Sequence, residues 1–230
     1  MIPKIIHYCW FGGKPKSPLI LKCIESWKQH CSGYTIIEWN ENSFDVMSHP
    51  FTAKMYKENK FAFVADYVRL IALYRDGGIY LDTDMFLLKP LDNLLNTKLL
   101  LGKESDEFIS CGMIGATPSH PFIAEMRAKY DTMKELQPNP VIMTKLYNQT
   151  RPEHTTVMAP QSFYPYDADN IHKYRGQDLG EIVYGIHLWN YSWGHPLNKT
   201  FKKIGIHRIG KKTAEALGVK KILKRLLGFI

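Results

Sequence analysis

Apolar positions along this chain follow two periods, and the changes from one to the other mark out its elements. Residues 4–10 are a dense apolar and aromatic run that predicts a strand, closed by Gly12-Gly13 and Pro15. Leu19, Cys23, Ile24 and Trp27 then recur at helical spacing, with Ser17 as cap and Pro18 in the first position, so a helix is expected over 18–30. Residues 34–39 read as a second strand, and strand, helix, strand in that order predicts a parallel βαβ unit. A short helix is expected over 50–59. A stronger one over 61–75 carries Phe61, Ala65, Val68, Leu70, Ala72 and Leu73 and is stopped by Gly77-Gly78. Strands follow at 79–82 and 85–88, then at 97–101 and 108–116, with helices at 120–136 and 140–148. The stretch 150–180 is rich in Pro, Asp, Asn and Gly and reads as a long irregular segment, of the sort that often carries function. Residues 181–189 are expected to form a last strand, and 212–229 an amphipathic helix. The pattern is mixed α/β.

Composition adds a boundary. The chain of 230 residues has 45% hydrophobic and 23% charged residues, ordinary for a globular protein and enough for a core. No apolar run reaches the roughly 18 residues that span a bilayer. The opening Met1-Ile2-Pro3-Lys4 lacks the pattern of a signal peptide, so a cytoplasmic location is expected. Cys9, Cys23, Cys31 and Cys111 form no C-x-x-C pair and suit buried, reduced thiols. The net charge of +8 is unevenly placed: residues 1–198 hold twenty basic and twenty-one acidic residues, whereas 199–230 hold ten basic residues and only Glu215 as an acid. A near-neutral body at 1–198 and a basic tail at 199–230 are therefore expected. In the tail Leu217, Ile222, Leu226 and Phe229 share one side, flanked by Lys and Arg. That is the pattern of a helix lying on anionic lipid, and a solvated helix or one packed on its own domain is the plain alternative.

The chemistry concentrates between residues 61 and 84. Asp82 and Asp84 lie two apart where a strand ends, and in extended backbone such positions face the same side. The end of a parallel strand is also the usual binding crevice of an open α/β sheet. Two hard oxygen donors suit Mg²⁺ or Mn²⁺. Upstream, Asp66 and Arg69 share a helix face, and Arg69 is open either to a phosphate or to pairing with Asp66 or Asp82. An Asx-type turn is the alternative for Asp82-Thr83-Asp84, and a purely structural ion pair for Asp66–Arg69.

The stretch Ala65-Asp66-Tyr67-Val68-Arg69 … Gly77-Gly78-Ile79-Tyr80-Leu81-Asp82-Thr83-Asp84 resembles the sugar-binding region of glycosyltransferase family 32, and is distantly similar to the clostridial glucosylating toxins. The opening Ile2–Gly13 and the late His187-Leu188-Trp189-Asn190-Tyr191-Ser192-Trp193 resemble two further segments of that family. The resemblance implies a GT-A fold, a Rossmann-like mixed sheet flanked by helices, acting on a nucleotide sugar with Mn²⁺ or Mg²⁺. It implies stacking of Trp10 on the nucleobase. Asp66 and Arg69 fall at positions that contact donor sugar and phosphates, with Tyr80, Thr83, Ser192 and Trp193 in the same nucleotide-sugar site. Asp82 falls on ribose and metal, Asp84 on the metal, and His187 in the segment that completes the metal site. Asp82, Asp84 and Arg69 are the expected catalytic set. Where the family often carries Asn, this chain reads Ile109-Ser110-Cys111-Gly112-Met113, and Asp106 and Glu107 are the carboxylates expected near the acceptor, with solvated loop charges as the alternative.

The expected activity is that of a metal-dependent retaining hexosyl- or N-acetylhexosaminyltransferase. It would take a UDP-sugar to a glycan or lipid-linked acceptor in capsular or other surface polysaccharide synthesis. It would work as a peripheral protein at the cytoplasmic face of an anionic membrane, with no nucleic acid partner. Two alternatives remain at this point. One is another DxD metal enzyme such as a nucleotidyltransferase, although Gly12-Gly13-Lys14 is a poor phosphate loop. The other is a non-catalytic basic binding protein.

Overall fold

Six strands form the central sheet in the order β2-β1-β3-β6-β5-β7, and every strand but β6 points the same way. The elements come from a computed structural model that describes residues 1–133 and 136–190, all within the compact unit Met1–Asn190. In chain order they are β1 (Ile5–Cys9), α1 (Pro18–His30), β2 (Thr35–Trp39), α2 (Pro50–Lys57), α3 (Phe61–Asp76), β3 (Gly78–Leu81), β4 (Met85–Leu87), β5 (Leu99–Lys103), β6 (Ile109–Ala116), α4 (Pro121–Asp131), α5 (Asn139–Thr150), β7 (Thr155–Met158) and β8 (Gly185–His187).

The expected βαβ unit is present. β1 and β2 pair in parallel from Ile5↔Thr35 to Cys9↔Trp39. Ser17 caps α1 by accepting from the Ile20 N–H, with Pro18 in the first turn. The chain then returns through α2 and α3 to place β3 on the other side of β1. The strand order thus reverses at β1, so the carboxyl ends of β1 and β3 flank a topological switch point, the place where open α/β sheets bind ligands. The double glycine between α3 and β3 is needed at that joint. Gly77 and Gly78 both have positive φ, and a Cβ would meet the Ala116 carbonyl at 2.9 Å from Gly77 and the Ile5 carbonyl at 2.6 Å from Gly78.

Side chains of each strand alternate between two cores. Ile79 and Leu81 join Ile6, Tyr8, Trp27 and Leu100 on the α1 face, while Tyr80 joins Cys9, Val68, Leu73 and Ile114 on the face covered by α2–α5. All four cysteines are free and buried, as expected. No helix among the described residues is long and apolar enough to cross a membrane.

Three expectations differ from the structure. First, the irregular stretch 150–180 contains β7, a four-residue strand pairing in parallel with β5 at the sheet edge. A short edge strand needs no long apolar run, so periodicity misses it. Second, the last strand is only Gly185–His187 and lies outside the main sheet, pairing antiparallel with β4 in a two-stranded ribbon. Third, Asp82-Thr83-Asp84 is not extended: the Met85 N–H donates to the Asp82 carbonyl at 2.9 Å, closing a turn between β3 and β4. The helix expected over 212–229 lies outside the described residues.

Candidate active site

The turn at 82–84 sits where β3 runs out, and its two carboxylates are held by different parts of the chain. Asp82 is tied to the sheet. Its N–H donates to the Gly112 carbonyl of β6 at 2.8 Å, and the Tyr80 hydroxyl donates to its Oδ1 at 2.9 Å. Gly112 presses against the same carboxylate: a Cβ there would lie 2.9 Å from Asp82 Oδ2 and 2.7 Å from the Tyr164 hydroxyl.

Beneath Asp82 lies Arg69, only 5% exposed. Of the two arrangements open to it, the structure has the ion pairs. One terminal nitrogen lies 2.7 Å from Asp66 Oδ1 and 3.4 Å from Asp82 Oδ1. The other donates to the Cys111 carbonyl at 2.6 Å, Nε donates to the Ala65 carbonyl, and the guanidinium stacks on the Tyr80 ring at 4.5 Å. Burial opposes its charge, but the Tyr80 ring and the Asp82 and Asp66 carboxylates hold it firmly protonated. Burial also raises the Asp66 pKa, with Arg69 opposing. Asn139, at the start of α5, donates to Asp66 Oδ1 at 3.2 Å, and its own Oδ1 is buried with no hydrogen-bond partner among the described residues.

Asp84 is held from the other end of the chain. Its Oδ1 lies 3.2 Å from His187 Nε2, its Oδ2 accepts from the Asn190 N–H at 2.8 Å, and its carbonyl accepts from the Leu188 N–H at 2.9 Å. Burial disfavours charge on both partners, yet their mutual attraction leaves the Asp84 pKa lowered and that of His187 raised. Trp189 packs edge-on against His187 at 4.4 Å and holds a left-handed φ of 52°, its indole N–H donating to the Tyr166 carbonyl at 2.8 Å.

Asp82, Asp84 and His187 each offer a donor atom within 4.8 Å of the others. The set fits a divalent ion. Its donors are two hard oxygens and an imidazole, and ligands at about 2.1 Å in a near-octahedral shell stand about 3 Å apart, close to the Asp84–His187 spacing. His187 Nδ1 is buried without a hydrogen-bond partner among the described residues.

Around this trio the other expected residues are spread. Trp10 leaves the carboxyl end of β1 half-buried, its indole N–H donating to the Lys14 carbonyl and Lys16 lying 5.8 Å from the ring. Thr83 is half-exposed in the turn. Ser192 and Trp193 lie outside the described residues. Asp106 and Glu107 are exposed at the tip of the β5–β6 hairpin.

Three features went unread in the sequence. Asn139 follows a Pro and gives no signal. The pair Ser110 and Tyr164, in close hydrogen-bond contact, is separated by 54 positions. Glu104 follows a strand that runs to Lys103 rather than to 101 as expected, so the sequence did not place it at a strand end. Burial raises its carboxyl pKa, while His187 and a Ser110 hydrogen bond oppose.

An open mixed α/β sheet of this order, flanked by helices, is the GT-A architecture. Solved structures share it: PaToxG glycosyltransferase (TM-score 0.50, 19% identity, 65% of this chain and 70% of that one) and the apo-form glycosyltransferase GlyE of Streptococcus pneumoniae TIGR4 (0.50, 13%, 88% and 60%). At these identities the likeness is one of fold. Residues 18–101 match the family model described as "Glycosyltransferase sugar-binding region containing DXD motif". Relatives in sequence include lactosylceramide 4-alpha-galactosyltransferase of Rattus norvegicus (28% identical, 55% of this chain and 40% of the relative). Inositol phosphoceramide mannosyltransferase 3 of Schizosaccharomyces pombe (31%, 54% and 36%) and human alpha-1,4-N-acetylglucosaminyltransferase (24%, 55% and 42%) also match. Residues 18–101 thus match the DXD-containing sugar-binding region of glycosyltransferases, and the relatives are glycosyltransferases, in line with the resemblance of the motif. The chain spans less than half the length of these relatives.

Proposed function

We propose that this chain transfers a sugar with retention of configuration from a nucleotide diphosphate sugar, a UDP-sugar by preference, to a hydroxyl of a glycan or lipid-linked acceptor. The observation that carries the reading is the convergence of Asp82, Asp84 and His187 at the carboxyl end of β3, beside the switch point at β1. These three residues would hold Mn²⁺ or Mg²⁺, which when bound neutralises charge building on the diphosphate as the glycosidic bond breaks.

The protein's own groups account for the rest. Trp10 offers a ring face to the nucleobase from the end of β1. Asp66 and Asn139 form a polar wall in which a buried amide oxygen has no donor among the described residues, and a sugar hydroxyl would supply one. Arg69 is a positioning residue: locked below, it fixes Asp66 and Asp82 and counters their charge. Trp189 and Tyr164 crowd His187 and limit water around it.

The acceptor and location follow from two further supports. Two of the relatives are named for ceramide-containing substrates. The tail at 199–230 carries ten basic residues against one acid, and each basic residue near an anionic membrane adds about 1 kcal/mol of attraction. A protein resting on the inner face of a membrane and extending a lipid-linked surface glycan joins the two.

The deciding experiment is hydrolysis of a panel of UDP- and GDP-sugars, with and without Mn²⁺, by the wild type and Asp84→Ala. Slow Mn²⁺-dependent turnover of one donor, lost in the variant, is expected. If neither turnover nor calorimetric binding of UDP or GDP occurs with metal, the reading fails. Sedimentation with vesicles of phosphatidylcholine, with and without anionic phosphatidylglycerol, tests the membrane part. Equal partitioning onto both removes it.

A further inference from the structure

The trio is assembled from two sources: Asp82 is held by the main sheet, while Asp84 and His187 belong to the β4–β8 ribbon. One residue outside the trio is built into both. Tyr164 follows β7 and a 3₁₀ turn at Pro160–Ser162, and its N–H donates to the Pro160 carbonyl at 2.7 Å. It is 5% exposed. On the ribbon side the preceding residue, Phe163, accepts the His187 N–H on its carbonyl at 3.0 Å. The Tyr164 ring packs against the His187 imidazole at 5.4 Å and the Trp189 ring at 6.0 Å.

The far end of the same side chain reaches β6. The Tyr164 hydroxyl is in hydrogen-bond contact with Ser110 Oγ, which accepts the Gly112 N–H at 3.1 Å. The Gly112 carbonyl in turn accepts the Asp82 N–H at 2.8 Å. An unbroken line of hydrogen bonds therefore runs from Tyr164 through a buried serine and a glycine to the first carboxylate of the trio. The space that Gly112 leaves is shared by the same two groups, since a Cβ there would lie 2.7 Å from the Tyr164 hydroxyl and 2.9 Å from Asp82 Oδ2. Packing alone does not call for this hydroxyl. Phe163 next door is fully buried and fills its place with a bare ring, whereas a buried phenol must be given a partner. A tyrosine with a serine opposite is a feature of connection rather than of volume.

We propose that Tyr164 is a positioning residue for the Asp82–Asp84–His187 trio: its ring fixes His187, its hydroxyl fixes Asp82 through Ser110 and Gly112, and the two together set the spacing between sheet and ribbon. The inference rests on the reading of the trio as the holder of a divalent ion. Donor atoms must be held to within about 0.5 Å to bind such an ion well, and supports from two separate sheets keep that tolerance only when they are linked. Tyr164 is that link, and Ser110 is its anchor on β6. Removing either hydroxyl breaks one and the same connection while leaving the ring contacts and the body of the fold in place.

The test reads binding and folding side by side. Titration calorimetry measures Mn²⁺-dependent affinity for UDP, or for GDP if that is what the wild type binds, in wild type, Tyr164→Phe, Ser110→Ala and the double variant. Urea unfolding of the metal-free proteins accompanies it. Each single variant is expected to lose about ten- to hundredfold in affinity with an unfolding midpoint close to wild type. The double variant should fall within about twofold of the weaker single, because both substitutions cut one line. A lowered midpoint with affinity within about twofold of wild type would make Tyr164 a packing residue only and overturn the proposal. Losses that multiply in the double variant would also overturn it, since Tyr164 would then act without Ser110. If Tyr164→Phe fails to fold, Ser110→Ala decides alone: unchanged affinity refutes the link, and a loss at an intact midpoint supports it. If the wild type binds neither nucleotide with Mn²⁺, the reading of the trio has failed first, and this proposal goes with it.

Discussion

Asp82 and Asp84 are two residues apart, yet they belong to different parts of the molecule. Asp82 is anchored from within the sheet and its helical cover, by Tyr80, Gly112 and the Arg69–Asp66 pair. Asp84 is anchored by His187, Leu188 and Asn190, more than a hundred residues downstream. The first half of the site is integral to the core, so disturbing it disturbs the fold. The second half is a strap laid over β4, so it can fail while the body stands. The segment 18–101 that matches the family model contains the first half complete except for β6 and Asn139, and none of the strap.

The largest effect should come from Arg69→Met. Removing the guanidinium strands two partly buried carboxylates, a loss of about 3–5 kcal/mol. Urea unfolding should place its midpoint far below wild type, and a variant of unchanged stability would break the contrast. Next is Asp84→Asn, expected to keep a near-wild-type unfolding midpoint while lowering Mn²⁺-dependent UDP affinity at least a hundredfold, about 2.7 kcal/mol. Calorimetry reads the second and denaturation the first; a large stability loss here would mean that the strap is part of the core after all. Gly112→Ala tests the sheet side by overcrowding. Its Cβ would meet Asp82 and Tyr164 oxygens inside 3 Å, so a cost of about 1–3 kcal/mol and reduced turnover are expected together.

The smallest effect concerns pH. His7 is fully buried, its Nε2 bonded to the Gly77 carbonyl at 2.8 Å and its Nδ1 accepting from the Trp39 indole at 3.1 Å. Burial holds its pKa below the ordinary 6.5. Below that pH the unfolded chain takes up a proton that the folded chain refuses, so His7 subtracts stability as pH falls from 6.5 towards its lowered value. The slope is at most about 1.4 kcal/mol per pH unit. Unfolding midpoints at pH 7.5 and 5.5 should therefore separate less in His7→Asn than in wild type, and equal separations would show that His7 does not set this dependence.

The same contrast explains what could be read from the sequence. The anchored half is local. α1, β2, α2 and α3 announce themselves through spacing and caps, and Asp66, Arg69 and Asp82 fall within one 17-residue stretch that a motif can hold. The turn geometry at 82–84 was less legible, because a carboxylate pair at i and i+2 reads alike in a strand or in a turn. The strap is non-local. That a strand lies near 185 was readable, but its partner was not, since nothing in Gly185-Ile186-His187 selects β4 over the main sheet. His187 reached the site by resemblance to a family rather than by any local pattern. Asn139 and the Ser110–Tyr164 contact stayed hidden for the same reason: each depends on a contact that only the folded chain makes.

The pairing of β4 with β8 also fixes when the Asp82–Asp84–His187 trio can assemble. A ribosome adds roughly 5–20 residues per second, so about 5–20 s separate synthesis of Asp84 from that of His187. During that interval the nascent chain carries the anchored half alone, with Asp84 lacking the partners it has in the finished structure. A half-made chain therefore lacks the Asp82–Asp84–His187 trio even when its six-stranded sheet is complete, and the trio assembles only once the last described strand has emerged.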